Sequence, residues 1–462
     1  MKSTKLKIAG NTLVQLIGKF VTAGITFLIT LVIARTYGVV GYGDFTKMTA
    51  YASLFYLLVD FGMNAVWLRQ TTHNTQHETH NKKNIKNEEQ TAKSEIRTEN
   101  YPFASLFFTR FVWALVLIFI ALAILPFLPS DEATQEGFTS AVIIGIIVLL
   151  PTILTQGLYS SYNALFQCAL RYDRSVLAAS VGSVTTLSLV FLLSRMTAPM
   201  PLLVTGYTIG GGVMAVAAYF LARRYRDDKS PFELALRRGK SLFIQSLPLG
   251  ITLVVSLLHF RADIFMLTIY RTTVEVGVYG LASKVFELPL TIPIFFMNSL
   301  YPVLLNAKNK KDRSGQTDQE STPAAEKIKK RSLQILLTAS ILISVAGIVA
   351  APLMTMIKED FAASILPFRI LMVSLPFFFV SALCMWILIA EDRRWTLVRI
   401  YTIGMMANIA LNLVAIPRFG AAGAAVTTGV SEAIVVVLLL TQLPFARREA
   451  REPVSDKGDG EE

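Results

Sequence analysis

Cysteine is nearly absent from this 462-residue chain. The two present, Cys168 and Cys384, have no His, Cys or carboxylate neighbours at metal-site spacing, so neither a disulfide framework nor a zinc site is expected. Charge is scarce too: 16% of residues are Asp, Glu, Lys or Arg, against 53% hydrophobic. A water-soluble chain would carry about 25% charged residues. No phosphate-cradling G-x-x-x-x-G-K-[ST] loop occurs, and the G-x-G-like glycines lie between apolar runs, which excludes P-loop and Rossmann readings. No catalytic cluster stands out and no cofactor is implied. Segments of about ten alternating residues, the mark of a membrane β-barrel, are missing as well.

What fills the chain instead is long apolar runs, most of about 20–28 residues, enough to cross a hydrocarbon core of about 30 Å as helices. Twelve are expected, near 9–34, 41–68, 101–128, 138–165, 175–195, 199–222, 241–269, 277–305, 331–357, 362–390, 396–416 and 420–444. The fold class expected is an all-α polytopic membrane protein. The first run is too long for a signal peptide and has no small-residue cleavage site, so it is expected to be retained. The net charge of +12 has a topological explanation. With the N-terminus inside, 33 of the 44 Lys and Arg fall in inner segments and 6 in outer ones. That bias puts both termini in the cytoplasm, implies a multi-pass protein of the cell membrane among its lipids, and removes nucleic acid as a partner.

Polar stretches punctuate the runs. Residues 70–100 read as a cytoplasmic loop poor in apolar residues. His73, His77 and His80 in it are spaced for one helix face, without an evident scaffold for a metal. Residues 446–462 form a polar cytoplasmic tail, and PSDEATQEG (129–137) an acidic outer loop.

An internal repeat organises the chain. IARTYGVVGYGDFTK (33–47) lies over IYRTTVEVGVYGLASK (269–284), matching Tyr42 with Tyr279 and Lys47 with Lys284; RYDR (171–174) lies over AEDR (390–393). This gives an N-terminal six-helix lobe, 1–225, a cytoplasmic linker, 226–240, and a C-terminal six-helix lobe, 241–445. Six is even, so the lobes are parallel repeats about an axis along the membrane normal. Polar seams run along equivalent spans: Asn11, Gln15, Lys19, Thr22, Thr26 and Thr30 on the first, Thr252, Ser256, His259 and Asp263 on the seventh.

Ionisable groups inside a membrane cost at least about 2.5–3.5 kcal/mol each and face water or a partner. Lys19, Arg110 and Arg261 are the candidate cavity cations, the alternative being structural pairing between helices. Gln15, His259 and Asp263 join them as candidate substrate contacts. Lys47, Lys284 and Glu287 are candidate gate or vestibule residues, although Asp44–Lys47 and Lys284–Glu287, at i, i+3, can simply pair. Asp60 and Glu432 are either charge partners or ion-coupling sites. Pro248, Pro289, Pro293, Pro367 and Pro376 are expected to bend their helices. The runs TGYTIGGG (205–212) and GAAGAAVTTG (420–429) read as close-packing surfaces.

RTYGVVGYGDFTK with LVDFGMNAVWLRQ (58–70), RADIFMLTIYRTTVEVGVYGLASKV (261–285) and FGAAGAAVTTGVSE (419–432) resemble the polysaccharide transporter, or oligosaccharide flippase, family of the multidrug/oligosaccharidyl-lipid/polysaccharide superfamily. That resemblance implies two six-helix bundles in a V and alternating access. It implies passage of an undecaprenyl-diphosphate-linked oligosaccharide to the outer leaflet, alongside glycosyltransferases and a polysaccharide polymerase. H+ or Na+ is the coupling ion to consider. A cation-coupled multidrug exporter would be expected to have an acidic cavity, whereas the first span carries Lys19 and no carboxylate. Lipid II flippases are similar but usually have two further spans. A membrane glycosyltransferase would need a sizeable outer loop, and the outer loops here are short.

Overall fold

In the computed structural model, residues 2–71, 102–225, 232–297, 300, 323–391 and 393–443 are described, of which 2–16, 232–235, 323–326 and 394 by their backbone only. The loop with His73, His77 and His80, the linker residues 226–231 and the C-terminal tail lie outside the described residues, as does the side chain of Gln15.

Apolar segments without water must satisfy their backbone internally, and helices do so. In chain order these are α1 (Lys2–Leu58), α2 (63–71), α3 (Phe103–Ile124), α4 (Ser140–Leu149), α5 (Pro151–Cys168), α6 (Tyr172–Arg195), α7 (Met200–Leu203), α8 (Thr205–Ala222), α9 (Phe232–Tyr270), α10 (Thr273–Phe286), α11 (291–297), α12 (Pro323–Ala350), α13 (Ile365–Ala390) and α14 (Arg394–Leu440). A two-residue ladder, β1 (Ser130–Asp131) against β2 (Glu136–Gly137), sits between α3 and α4 where only an acidic loop was expected.

Among the described residues, ten stretches are long and apolar enough to cross a membrane. Their outward faces are apolar, with Phe119 at 72% and Val349 at 74% exposure, as lipid contact requires and water would penalise. Two stretches, Ile17–Thr71 at 55 residues and Trp395–Leu440 at 46, exceed twice the roughly 20 residues that one crossing needs. Each is broken by a glycine in a conformation closed to other residues: Gly38 (φ 67°) and Gly420 (φ 55°). Both fall where the hydropathy pattern separates neighbouring spans.

Two expected spans are not continuous. The second, 41–68, gives way at 59–62, where Phe61 (φ 43°) and Gly62 (φ 76°) are both left-handed. The eighth gives way at 287–290, a run of turns around Pro289. By contrast Pro248, Pro376 and Pro417 lie inside α9, α13 and α14.

The chain packs as two compact units. One comprises Met1–Leu257 with Thr272–Gly277, the other Leu258–Arg271 with Val278–Glu462. In the first, Phe61, Trp67, Phe103, Leu106, Tyr162 and Phe166 centre the core, and the Phe61 ring stacks on Phe243 of α9 at 5.3 Å. In the second, α13 packs on α14 and α12.

Candidate functional site

Arg110 sits in the second turn of α3 and is fully buried. Its guanidinium donates Nη1–H to Ser161 Oγ (3.0 Å), and Nη2–H to Asp60 Oδ1 (2.8 Å) and Asn64 Oδ1 (3.0 Å). Asn64 donates to Ser160 Oγ at 3.0 Å, and Ser160 donates back to Asp60 at 3.3 Å. A buried cation is tolerable only with this kind of matched company. Asp60 and Asn64 flank the left-handed pair Phe61–Gly62, so the cluster also fastens the break in the second span. Gly157 makes room: a Cβ there would lie 2.9 Å from Val59 and 3.5 Å from Arg110 Cγ.

A second cluster lies in the other unit, around a pocket lined by α9, α10, α13 and α14. Asp263 accepts the Tyr279 hydroxyl in a very short hydrogen bond, Thr428 Oγ1–H at 3.4 Å and its neighbour Ile264 N–H at 2.8 Å. His259 Nε2 lies 3.6 Å from Glu432 Oε2. Arg261 and Lys284 share Glu287, at 3.2 Å and 2.8 Å. Behind the pocket Asn412 donates to Asn408, and Asn408 to Ser431, at 2.9 Å and 3.2 Å. His259 Nδ1 and Arg261 Nε are buried without a hydrogen-bond partner.

Lys47 and Lys284 match in the repeat but differ in surroundings. Both i, i+3 pairs form, Lys47 with Asp44 at 3.3 Å and Lys284 with Glu287. Lys47, however, is 1% exposed and donates to Thr273 Oγ1 at 2.7 Å, while Thr273 meets Gln135 O and Glu136 Oε2, each at 3.0 Å. Lys47 is thus sealed among the second arm of α1, the β1–β2 hairpin and the first turn of α10. Lys19 is exposed on the first arm of α1. The threonines of its seam turn inward on their own helix: Thr22, Thr26 and Thr30 each donate to the carbonyl four residues back.

Sequence reasoning missed Asn408, Asn412, Thr427, Thr428 and Ser431. Asn408 and Asn412 are four apart on one helix face, a period that identifies a polar seam. Thr427 and Thr428 fall inside the run that reads as a small-residue packing surface. Among the described residues no group of three or more His, Cys, Asp or Glu could hold a metal ion.

A family model described as polysaccharide biosynthesis protein matches residues 8–308. None of the curated proteins compared matches at a significant level. Among solved structures, the lipid II flippase MurJ in an inward closed conformation is similar at TM-score 0.69 and 16% identity, covering 92% of this chain and 86% of that one. An inward-facing multidrug resistance MATE family transporter of the MOP superfamily has TM-score 0.69 and 12% identity, with 94% and 96% coverage. A MOP superfamily transporter from Pyrococcus furiosus, described as having a binding pocket of reversed polarity, has TM-score 0.58 and 15% identity, with 96% and 95% coverage. These likenesses establish the fold: a polytopic, all-helical architecture.

Proposed function

Because the chain belongs to the polysaccharide biosynthesis protein family, we propose that it is a flippase carrying a polyprenyl-diphosphate-linked oligosaccharide from the inner to the outer leaflet of the cytoplasmic membrane. The reading takes both long stretches as double crossings at Gly38 and Gly420, giving twelve spans in two six-helix lobes with both termini inside. The observation that carries it, beside the family, is the pair of cations at the pocket edge. Arg261 and Lys284 approach one carboxylate from two helices, the geometry an oxyanion headgroup needs. Lys19, exposed on α1, is the proposed companion anchor in the first lobe. Asn408, Thr428 and Ser283 supply neutral donors and acceptors suited to sugar hydroxyls, and the lipid tail stays in the bilayer.

Alternating access gives each residue a role. Lys47, closed in by Thr273 and Asp44, is a vestibule residue of the outer end. Arg110 acts by holding the broken second span to α3 and α5, not by meeting the sugar. With no nucleotide-binding motif in the sequence, the work comes from an H+ or Na+ gradient or from substrate concentration, and the His259–Glu432 pair is the proposed coupling point. Glycosyltransferases and a polymerase would act before and after this step.

Three carboxylates in the same unit, Asp263, Glu287 and Glu432, favour a second reading, a cation-coupled exporter of cationic compounds. Reconstitution separates the two. Vesicles holding the purified protein are expected to translocate a fluorescent lipid-linked oligosaccharide, with at least a tenfold loss in Lys19→Ala and Arg261→Ala. Gradient-driven transport of a cationic dye, with no movement of the lipid-linked sugar, would establish the exporter instead.

A further inference from the structure

Arg261 of α9 and Lys284 of α10 form a two-pronged fork on Glu287. Arg261 Nη1 is 3.2 Å from Oε1, and Lys284 Nζ is 2.8 Å from Oε2. Each cation has its own oxygen, so the fork fits any small oxyanion presenting two oxygens on one side, a carboxylate or a phosphate. Two features distinguish it from a sealed structural pair. The Arg261, Glu287 and Lys284 side chains keep 18%, 20% and 35% of their area exposed, whereas Arg110 in the other cluster keeps none. Glu287 also stands where α10 gives way. Its N–H still reaches Ser283 O at 2.9 Å, but Pro289 brings no N–H to continue the ladder, and turns follow as far as Thr291. A carboxylate at such a break can leave its partners without unwinding a regular helix.

We infer that Glu287 is a resident anion, which a phosphate-bearing ligand displaces from Arg261 and Lys284 on binding and which returns to expel that ligand on release. The inference rests on the flippase reading and adds to it a release step. An internal competitor weakens apparent affinity in proportion to the time the fork is occupied. A transporter gains by this, because a fork of two free cations in a low-dielectric pocket would hold a diphosphate too tightly to let it go.

The test is a titration of full-length protein in lipid nanodiscs, wild type against Glu287→Gln, Glu287→Asp, the double variant Arg261→Gln/Lys284→Gln, and Glu391→Gln. The last removes a carboxylate paired with Lys329 elsewhere. The probes are inorganic diphosphate and a short-chain polyprenyl diphosphate, with thermal unfolding to verify folding. Glu287→Gln is expected to tighten diphosphate binding about tenfold, as for a fork occupied about nine-tenths of the time. Glu287→Asp, one methylene shorter, should tighten it less, Glu391→Gln should leave it unchanged, and the double variant should lose it. Tightening for the polyprenyl form alone identifies a lipid headgroup as the displacing ligand, and equal tightening for both identifies the diphosphate itself. If the Glu287 variants bind like wild type, or more weakly, while the double variant loses binding, displacement is wrong and the anion site survives. If no folded form binds either probe, both the displacement and the flippase reading fall.

Discussion

Arg174 and Arg393 make the same bond in the two halves of the chain. Arg174 Nη1 donates to Leu221 O, at the end of α8, at 2.9 Å; Arg393 Nη1 donates to Gln442 O, just past the end of α14, at 2.8 Å. Arg393 adds a second bond to Gln442 Oε1 at 2.8 Å. The last carbonyls of a helix have no amide four residues on, and a cation there also meets the negative end of the helix dipole. The match of RYDR to AEDR is therefore a match of helix caps.

From that equivalence Arg174→Gln and Arg393→Gln are expected to cost similar stability, about 1.5–3 kcal/mol each for a charged hydrogen bond. Arg393 should lie at the upper end because of its second bond. Thermal unfolding of the purified variants measures both. A large drop for one and none for the other would refute the equivalence.

Arg110→Ala should lower the amount of folded protein, because it strands Asp60, Asn64 and Ser161 together. Asp60 keeps 35% of its side chain exposed. The cost should therefore fall below the about 3–5 kcal/mol of breaking a fully buried pair. Adding Asp60→Asn should recover part of the loss. If Arg110→Ala instead folds normally and abolishes only transport, Arg110 meets the substrate directly.

The all-helical, membrane-crossing character was legible in the sequence because lipid permits little besides helices, so length and hydropathy suffice for the class. The break at 59–62 was not legible: its first left-handed residue is Phe61, buried against Trp113 and Phe243. Tertiary packing there overrides a local preference that would have kept phenylalanine helical. Within the candidate site the sequence marks the charged groups but not their partners. Asp60 reads as either a partner or an ion site, and only the fold brings it to Arg110, fifty residues on. For Lys47 the sequence offers the local partner Asp44, but nothing local announces Thr273, 226 residues away. Gln15 remains an expectation from spacing alone.

Glycine packing offers a sharper contrast. A Cβ on Gly277 would lie 2.1 Å from Val39 O and 3.1 Å from Gly43 N, and one on Gly43 would lie 2.2 Å from Thr273 O. Both clashes are with backbone, which cannot rotate away. Gly277→Ala should thus part the two segments and cost about 1–3 kcal/mol, the range for overpacking. A Cβ on Gly212 would meet nothing within 4 Å. Gly212→Ala should be neutral or stabilising by up to about 1 kcal/mol, through helix propensity alone. Comparable effects from the two substitutions, read by unfolding midpoint, would contradict the close approach.

Glu432 provides the test of ion coupling. It is buried beside His259, and Gly404 faces that imidazole, its Cβ position 3.6 Å from His259 Cε1. A carboxylate buried in a membrane segment is costly when charged and alone, which makes Glu432 the carboxylate to test for coupling. Glu432→Gln mimics the neutral state and keeps the volume. It is expected to leave diphosphate affinity within about twofold of wild type, since Arg261, Lys284 and Glu287 are untouched, and to lower gradient-driven export about tenfold or more. The residual export should no longer respond when proton and sodium gradients are collapsed by ionophores. Export at the wild-type rate that still stops on gradient collapse would move the coupling site elsewhere, with Asp263 the next carboxylate to test.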